Sequence, residues 1–119
     1  RVWAGTETGG VMVWNDEDLS LLACTNCHHT RVVSIALVAD THLFSLALDS
    51  NVIKWDRATV RPTTEFAVEK VSSTCGCMVV VDDCLWIGSH TSSVHVWRYN
   101  DVDDVNETLA TFKIDKVKQ

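Results

Sequence analysis

The chain has 119 residues, enough for one small domain and too few for two ordinary ones. Ten Lys and Arg against 16 Asp and Glu give a net charge of −6. This balance argues against a nucleic-acid partner, because such proteins concentrate positive charge on one surface. With 46% hydrophobic residues the chain can build a core. No apolar run approaches the roughly 20 residues that a membrane-spanning helix needs, so we expect no membrane span.

The cysteines and the first residue indicate the setting of the chain. Five Cys cannot all pair within one molecule, and no secretory signal stands at the start of the sequence. We therefore expect reduced thiols and a cytoplasmic location. Because the sequence begins with Arg1 rather than Met, we also expect a piece of a longer protein.

Short patterns recur along the sequence with a period near 42 residues. Trp14 and Trp55 are 41 residues apart, Trp55 and Trp97 are 42 apart, and each ends a Val-x-x-Trp pattern. An aromatic residue stands 11 positions before each of them, as Trp3, Phe44 and Trp86. A period of about 40–45 residues is typical of the four-stranded blades of a β-propeller.

The apolar stretches are short, rich in Val and aromatic residues, and separated by turn residues, which predicts strands. In chain order, the predicted strands are 1–5, 11–15 and 19–24; 32–38, 42–47, 52–56 and 63–68; and 77–81, 84–88, 94–99 and 108–114. We label the strands of a full blade a to d, so the first group supplies strands b, c and d.

The predicted fold is therefore all-β, a partial β-propeller of about two and three-quarter four-stranded antiparallel blades. We interpret 1–119 as one segment of a larger propeller, with blades at 1–24, 32–68 and 77–114. Because closed propellers usually have at least four blades, neighbouring blades would be needed to close the ring.

The pair Trp55-Asp56, at the end of strand c in the middle blade, resembles the Trp-Asp pair for which WD repeats are named. The chain thus resembles the WD-repeat β-propeller family, and only this blade has the full motif. The resemblance implies a structural hydrogen-bonded set of a His before strand a, a Ser in strand b, an Asp in the b–c turn and the strand c Trp. Here these residues are His28, Ser45, Asp49 and Trp55, with His29 as the alternative histidine.

The outer two blades depart from this motif. They have Thr8 and Thr91 at the position of Asp49, and Ala4 and Ile87 at the position of Ser45. A Ser, a His and an Asp also suggest a hydrolase triad, but that reaction needs an accessible Ser, and Ser45 lies in the middle of a strand. The structural interpretation is favoured, and we expect no catalysis by this chain.

The cysteines offer two further hypotheses. Residues 24–28 match the Cys-x-x-Cys-His pattern of covalent haem attachment. Alternatively, two cysteine pairs could together form a tetrahedral zinc site; these are Cys24, Cys27, Cys75 and Cys77. Because Cys also serves as a small buried apolar residue, we expect no cofactor.

The expected function is a non-catalytic protein-interaction or scaffold segment within a larger multidomain protein, with a partner whose identity is open. The candidate partner-binding residues lie in loops at one end of the strands and are Arg31, Glu7, Asn51 and His90. We expect His95 to lie at a blade surface. The alternative is a propeller region attached to an inositol polyphosphate 5-phosphatase or a DENN-type Rab exchange factor, which parts of the sequence also resemble.

Overall fold

The computed structural model describes residues 1–38, 41–68, 75–90 and 93–98, and the backbone of 107–113. Eleven strands are found in this part of the chain. They are β1 Val2–Gly5, β2 Gly10–Trp14, β3 Leu21–Asn26, β4 Val32–Val38, β5 His42–Ala47, β6 Asn51–Asp56, β7 Arg61–Ala67, β8 Cys75–Val81, β9 Cys84–Ser89, β10 Ser93–Arg98 and β11 Glu107–Lys113. No helix capable of crossing a membrane occurs among these residues.

The strands form three antiparallel sheets, β1 to β3, β4 to β7 and β8 to β11, and neighbours in each sheet follow chain order. Each sheet is therefore one blade, in which strand d lies at one edge, and strand a lies at the other edge in the two four-stranded sheets. The prediction of an all-β partial propeller, with one three-stranded and two four-stranded blades, is confirmed. Eight of the eleven strand starts differ from the prediction, by one or two residues. Those of β3, β7 and β8 differ by two. Strand β7 begins at Arg61 and contains Pro62, which is tolerated on an edge strand, and β8 begins at Cys75.

One β-bulge recurs at the same place in every blade. The pairing of strands c and d shifts by one residue just before the strand c Trp, with the extra residue in strand d. The shifts fall between Val13 and Trp14, Lys54 and Trp55, and Val96 and Trp97. The three units are therefore equivalent in backbone pairing as well as in sequence.

The sheets stack through apolar side chains, with β4 in contact with both β1 and β8. The core between the first and middle blades contains Val11, Leu43, Ile53 and Trp55. The core between the middle and last blades contains Val38, Phe44, Leu46, Val52, Val68, Cys75, Met78, Leu85 and Ile87. Successive residues of a strand point to opposite faces, so the middle blade supplies side chains to both cores.

Asp56, the acidic residue of the Trp-Asp pair, organises the turn between strands c and d. Its carboxylate accepts hydrogen bonds from the backbone N–H groups of Ala58 (2.8 Å) and Thr59 (3.2 Å). These hydrogen bonds stabilise the charged form and hold the pKa of Asp56 below its usual value. In the first blade, Asn15 has the same role and accepts from the N–H of Glu17 at 2.8 Å.

Candidate functional site

A buried hydrogen-bond network lies at the junction of the first and middle blades. The hydroxyl of Ser45 is at its centre: the indole N–H of Trp55 donates to it at 2.8 Å, and Nε2 of His28 lies 2.7 Å from it. All three residues are buried. Burying any of these polar groups without a hydrogen-bond partner would cost free energy. The shared hydroxyl therefore fixes the positions of strands b and c and of the segment before strand a.

The fourth residue that the resemblance implied, Asp49, is not hydrogen-bonded to His28. Its carboxylate accepts from the backbone N–H and the side-chain amide of Asn51, at 3.2 and 3.1 Å. The backbone N–H of Asp49 donates to the hydroxyl of Thr30 at 3.2 Å. Nδ1 of His28 is buried and has no hydrogen-bond partner in the described part of the chain. The structure thus brings together three residues of the set and leaves Asp49 bound within its own turn.

Burial lowers the pKa of His28 below the usual 6.5, and the negative charges of Asp49 and Glu65 oppose this shift. Between the lowered pKa and 6.5 the unfolded chain binds more protons than the folded chain, so stability falls as the pH falls through this range. Below the lowered pKa of His28 the loss levels off.

We therefore expect the free energy of unfolding to decrease when the pH is lowered from about 8 to about 5, measured by urea denaturation. The variant His28→Gln removes the titrating group, so its stability should depend less on pH in this range. Asp16, Asp18 and Asp56 also have lowered pKa values. These change the stability only below the usual aspartate pKa of 3.8, so they do not affect the range from about pH 8 to about pH 5. Equal pH dependence in the two proteins would contradict this assignment.

The last blade lacks the network, and its Trp shows the consequence. Trp97 stands at the position of Trp55, but the residue at the position of Ser45 is Ile87. The indole Nε1 of Trp97 is buried without a hydrogen-bond partner among the described residues. Packing holds the Trp97 ring in place: its centroid lies 4.7 Å from that of the Phe66 ring, and it packs against the core between the middle and last blades.

The loops at one end of the strands are joined by backbone hydrogen bonds, and we call this end the upper face. It consists of residues 6–9, 27–31 and 48–50 together with His90. The N–H of His28 donates to the carbonyl of Gly9 (3.0 Å), and the N–H of Leu48 donates to that of Arg31 (3.0 Å). The connection 27–31 is therefore fastened to the b–c turn of the blade on each side of it. Gly9 permits this close approach by adopting a φ of +90°.

The four predicted partner-binding residues have different surroundings: three lie on the upper face, and Asn51 is the first residue of β6. Glu7, Arg31 and His90 are exposed. Asn51 is half-buried, and its amide is occupied by Asp49, so it presents little to a partner. His29 is exposed on the connection 27–31, and we add it to the candidate partner-binding residues. The sequence feature that could have identified it is its position next to the buried His28.

The proposed metal and haem sites do not find support in the described residues. No group of three or more His, Cys, Asp or Glu side chains able to hold a metal occurs among them. Cys75 belongs to the core between the middle and last blades, and burial raises the pKa of the half-buried Cys27 thiol. Nε2 of His28 is held by Ser45, which removes the haem ligand that the Cys-x-x-Cys-His pattern would require.

His95 is buried, with 7% of its surface exposed, and the expectation that it lies at a blade surface is wrong. Its partner across the ladder is Ile87. Because directly paired residues share a face of the sheet, His95 points with Ile87 towards the middle blade.

Stacked antiparallel meanders of three or four strands, with equivalent bulges and one Ser, His and Trp network, define the fold as that of a WD-repeat β-propeller. The chain is similar to the solved structure of U3-55K, with a TM-score of 0.76 and 17% identity over 93% of this chain and 33% of that one. It is also similar to the crystal structure of the RRP9 WD40 repeats, with a TM-score of 0.74 and 16% identity over 89% of this chain and 32% of that one. The chain therefore spans about a third of each structure. No protein-family model and no curated protein matches the sequence.

Proposed function

We propose that this chain is a non-catalytic protein-interaction segment of a WD-repeat β-propeller within a larger protein, and that its upper face binds a protein partner. The observation that carries the proposal is the fastening of the connection 27–31 by backbone hydrogen bonds on both sides. Side chains that project from this connection are held on a rigid framework, which lowers the entropy lost on binding.

The surroundings of Ser45 support a non-catalytic role. Its hydroxyl is fully buried and accepts the indole N–H of Trp55. A serine nucleophile has to reach a substrate carbonyl and needs donors for the oxyanion that forms. Ser45 is enclosed between two blades, so its hydrogen bonds stabilise the fold.

The exposed side chains of the upper face indicate the kind of partner. Glu7 and Arg31 carry opposite charges, and His29 and His90 add imidazoles. These side chains suit hydrogen bonds and ion pairs with a polar protein surface. In such interfaces a few residues carry most of the binding free energy, and Arg is often one of them.

The proposal is tested by placing a photo-crosslinking amino acid at the exposed Thr8 of this face or, as a control, at Ala58 in the c–d turn at the opposite end of the strands. In a lysate of the source cells we expect a protein to crosslink from position 8 and not from position 58. The substitution His90→Ala should lower the yield at position 8 by about tenfold, with the circular dichroism spectrum unchanged. Equal crosslinking from both ends, or no effect of His90→Ala, would contradict the assignment of this face.

The attachment of this segment to an inositol polyphosphate 5-phosphatase or a DENN-type Rab exchange factor stays a prediction. The full open reading frame tests it directly, because either catalytic or exchange domain would be encoded beside the propeller.

A further inference from the structure

A pocket of about 320 Å³ lies between the first and middle blades, beside strand β7 at the edge of the middle sheet. It is lined by Cys27, Ile53 and residues 62–65, and we call it the Glu65 pocket. The backbones of these two blades approach each other closely at β1 and β4, and β7 makes no comparable approach to a strand of the first blade. The two sheets therefore diverge towards the β7 edge, where the pocket opens between them.

The bulge in β7 determines which side chains face the pocket. Glu65 pairs with Ile53 and points towards the first blade, because Ile53 belongs to the core shared with that blade. Pro62 pairs with Trp55 of the same core. Two residues three positions apart on a regular strand would point to opposite faces. The extra residue Thr63 therefore brings a carboxylate and an apolar ring to the same side of the strand.

The carboxylate of Glu65 is the charged group of the pocket. Glu65 is exposed, and no ion pair to it is found in the described part of the chain. Burial raises the pKa of the Cys27 thiol, and the nearby negative charge of Glu65 adds to this rise. Ile53 and Pro62 supply apolar surface beside the charge. Such a lining suits a Lys or Arg side chain, whose stem packs on apolar groups while its head pairs with a carboxylate.

The edge of β7 offers backbone hydrogen-bonding groups next to the pocket. Among the described strands, β7 pairs only with β6. The N–H and C=O groups on the other side of an edge strand can pair with an added strand. Pro62 has no N–H, so residues 63–67 are the segment available for pairing. The side chains of Thr63, Glu65 and Ala67 are exposed, so this segment is accessible.

We propose that the edge of β7 binds an extended segment of a partner protein as an added strand, with a Lys or Arg of that segment in the Glu65 pocket. The residue opposite Glu65 on the added strand shares its face and so points into the pocket. Backbone pairing provides affinity, and the ion pair selects a basic residue at one position. The net charge of −6 also favours a basic partner. This site is separate from the upper face, and further blades stacked on the first or last sheet would leave it open.

The experiment measures binding of a fluorescein-labelled peptide, Thr-Val-Thr-Lys-Thr-Val-Thr with blocked ends, to the full-length protein by fluorescence anisotropy. We expect a Kd below about 1 mM. The substitution Glu65→Gln, or Gln in place of the peptide Lys, should raise the Kd at least about tenfold. The matched control is Glu7→Gln, which removes an exposed carboxylate of the upper face and should leave the Kd unchanged. Circular dichroism checks that each variant is folded.

Two further measurements test the ion pair and the strand pairing separately. Glu65→Lys should bind the peptide in which Glu replaces Lys, with a Kd within about threefold of the original pair. Two peptides methylated on alternate sets of backbone nitrogens should differ, since only one set of N–H groups faces β7, and at least one peptide should lose about tenfold in affinity. No binding by the unmodified protein, equal affinity of Glu65→Gln, no rescue by charge exchange, or unchanged binding of both methylated peptides would overturn the proposal.

Discussion

The substitution Trp55→Ala is expected to lower the free energy of unfolding by about 3–5 kcal/mol. Trp55 is fully buried between the first and middle blades, where its ring packs edge-on against Trp3 and its N–H donates to Ser45. Removal of the side chain leaves a large cavity and takes one hydrogen-bond partner from the Ser45 hydroxyl. Urea denaturation followed by circular dichroism measures the change, because fluorescence would itself be altered.

The variant Trp55→Phe separates the two contributions. It keeps an aromatic ring in the core and removes only the N–H and part of the ring volume, while Ser45 keeps its contact with His28. We expect a loss of about 1–2 kcal/mol, mainly from the hydrogen bond. Equal losses for Ala and Phe would show that the volume of the ring does not stabilise the junction.

The second large effect is expected for Gly9→Ala. Gly9 has a φ of +90°, and a Cβ at this position would overlap the carbonyl oxygen of His28 and approach that of Thr30 to 2.8 Å. Backbone atoms cannot turn aside as a side chain can, so the turn would have to move away from the connection 27–31. We expect a loss of at least about 2 kcal/mol, together with weaker hydrogen-exchange protection of the His28 amide.

The adjacent glycine is the matched control. At Gly10 the nearest atoms to an added Cβ are the ends of the Asn26 and Thr6 side chains, both at 3.0 Å. These side chains can shift by a few tenths of an ångström, so Gly10→Ala should cost clearly less than Gly9→Ala. A similar cost for both substitutions would contradict the importance of the positive φ and of the carbonyl contact.

The position of the strands could be predicted because the Trp residues repeat at a nearly constant spacing and each ends an apolar run. Strands β4 and β5 have the predicted bounds, and most others differ by one or two residues. The prediction misses the start of β8 because Gly76 interrupts the apolar run there, whereas in the structure Gly76 forms a bulge and Cys75 pairs with Ser89. Such a bulge depends on the paired strand, and the sequence of one strand does not reveal it.

The candidate site shows where sequence reasoning ends. The resemblance to WD repeats implied a buried network of the residues at positions 28, 45 and 55, and the need of a buried indole N–H and imidazole for partners explains why they meet. Whether a carboxylate turns towards the histidine or towards its own turn depends on a rotation of one side chain. Here Asn51, two residues later, offers Asp49 both a backbone and a side-chain donor. The burial of His95 likewise depends on the neighbouring blade, which the pattern within β10 does not describe.

The bulge before each strand c Trp has a consequence for building artificial arrays from these units. The additional residues in strands d are Leu22, Thr63 and Leu109. A consensus repeat would be designed without this residue if an averaged alignment treated it as a gap. The rest of strand d would then shift by one position, and every following side chain of the strand would point to the other face of the sheet. Side chains intended for solvent would then meet the adjoining unit. A repeat module derived from this chain should therefore keep strand d one residue longer than its partner.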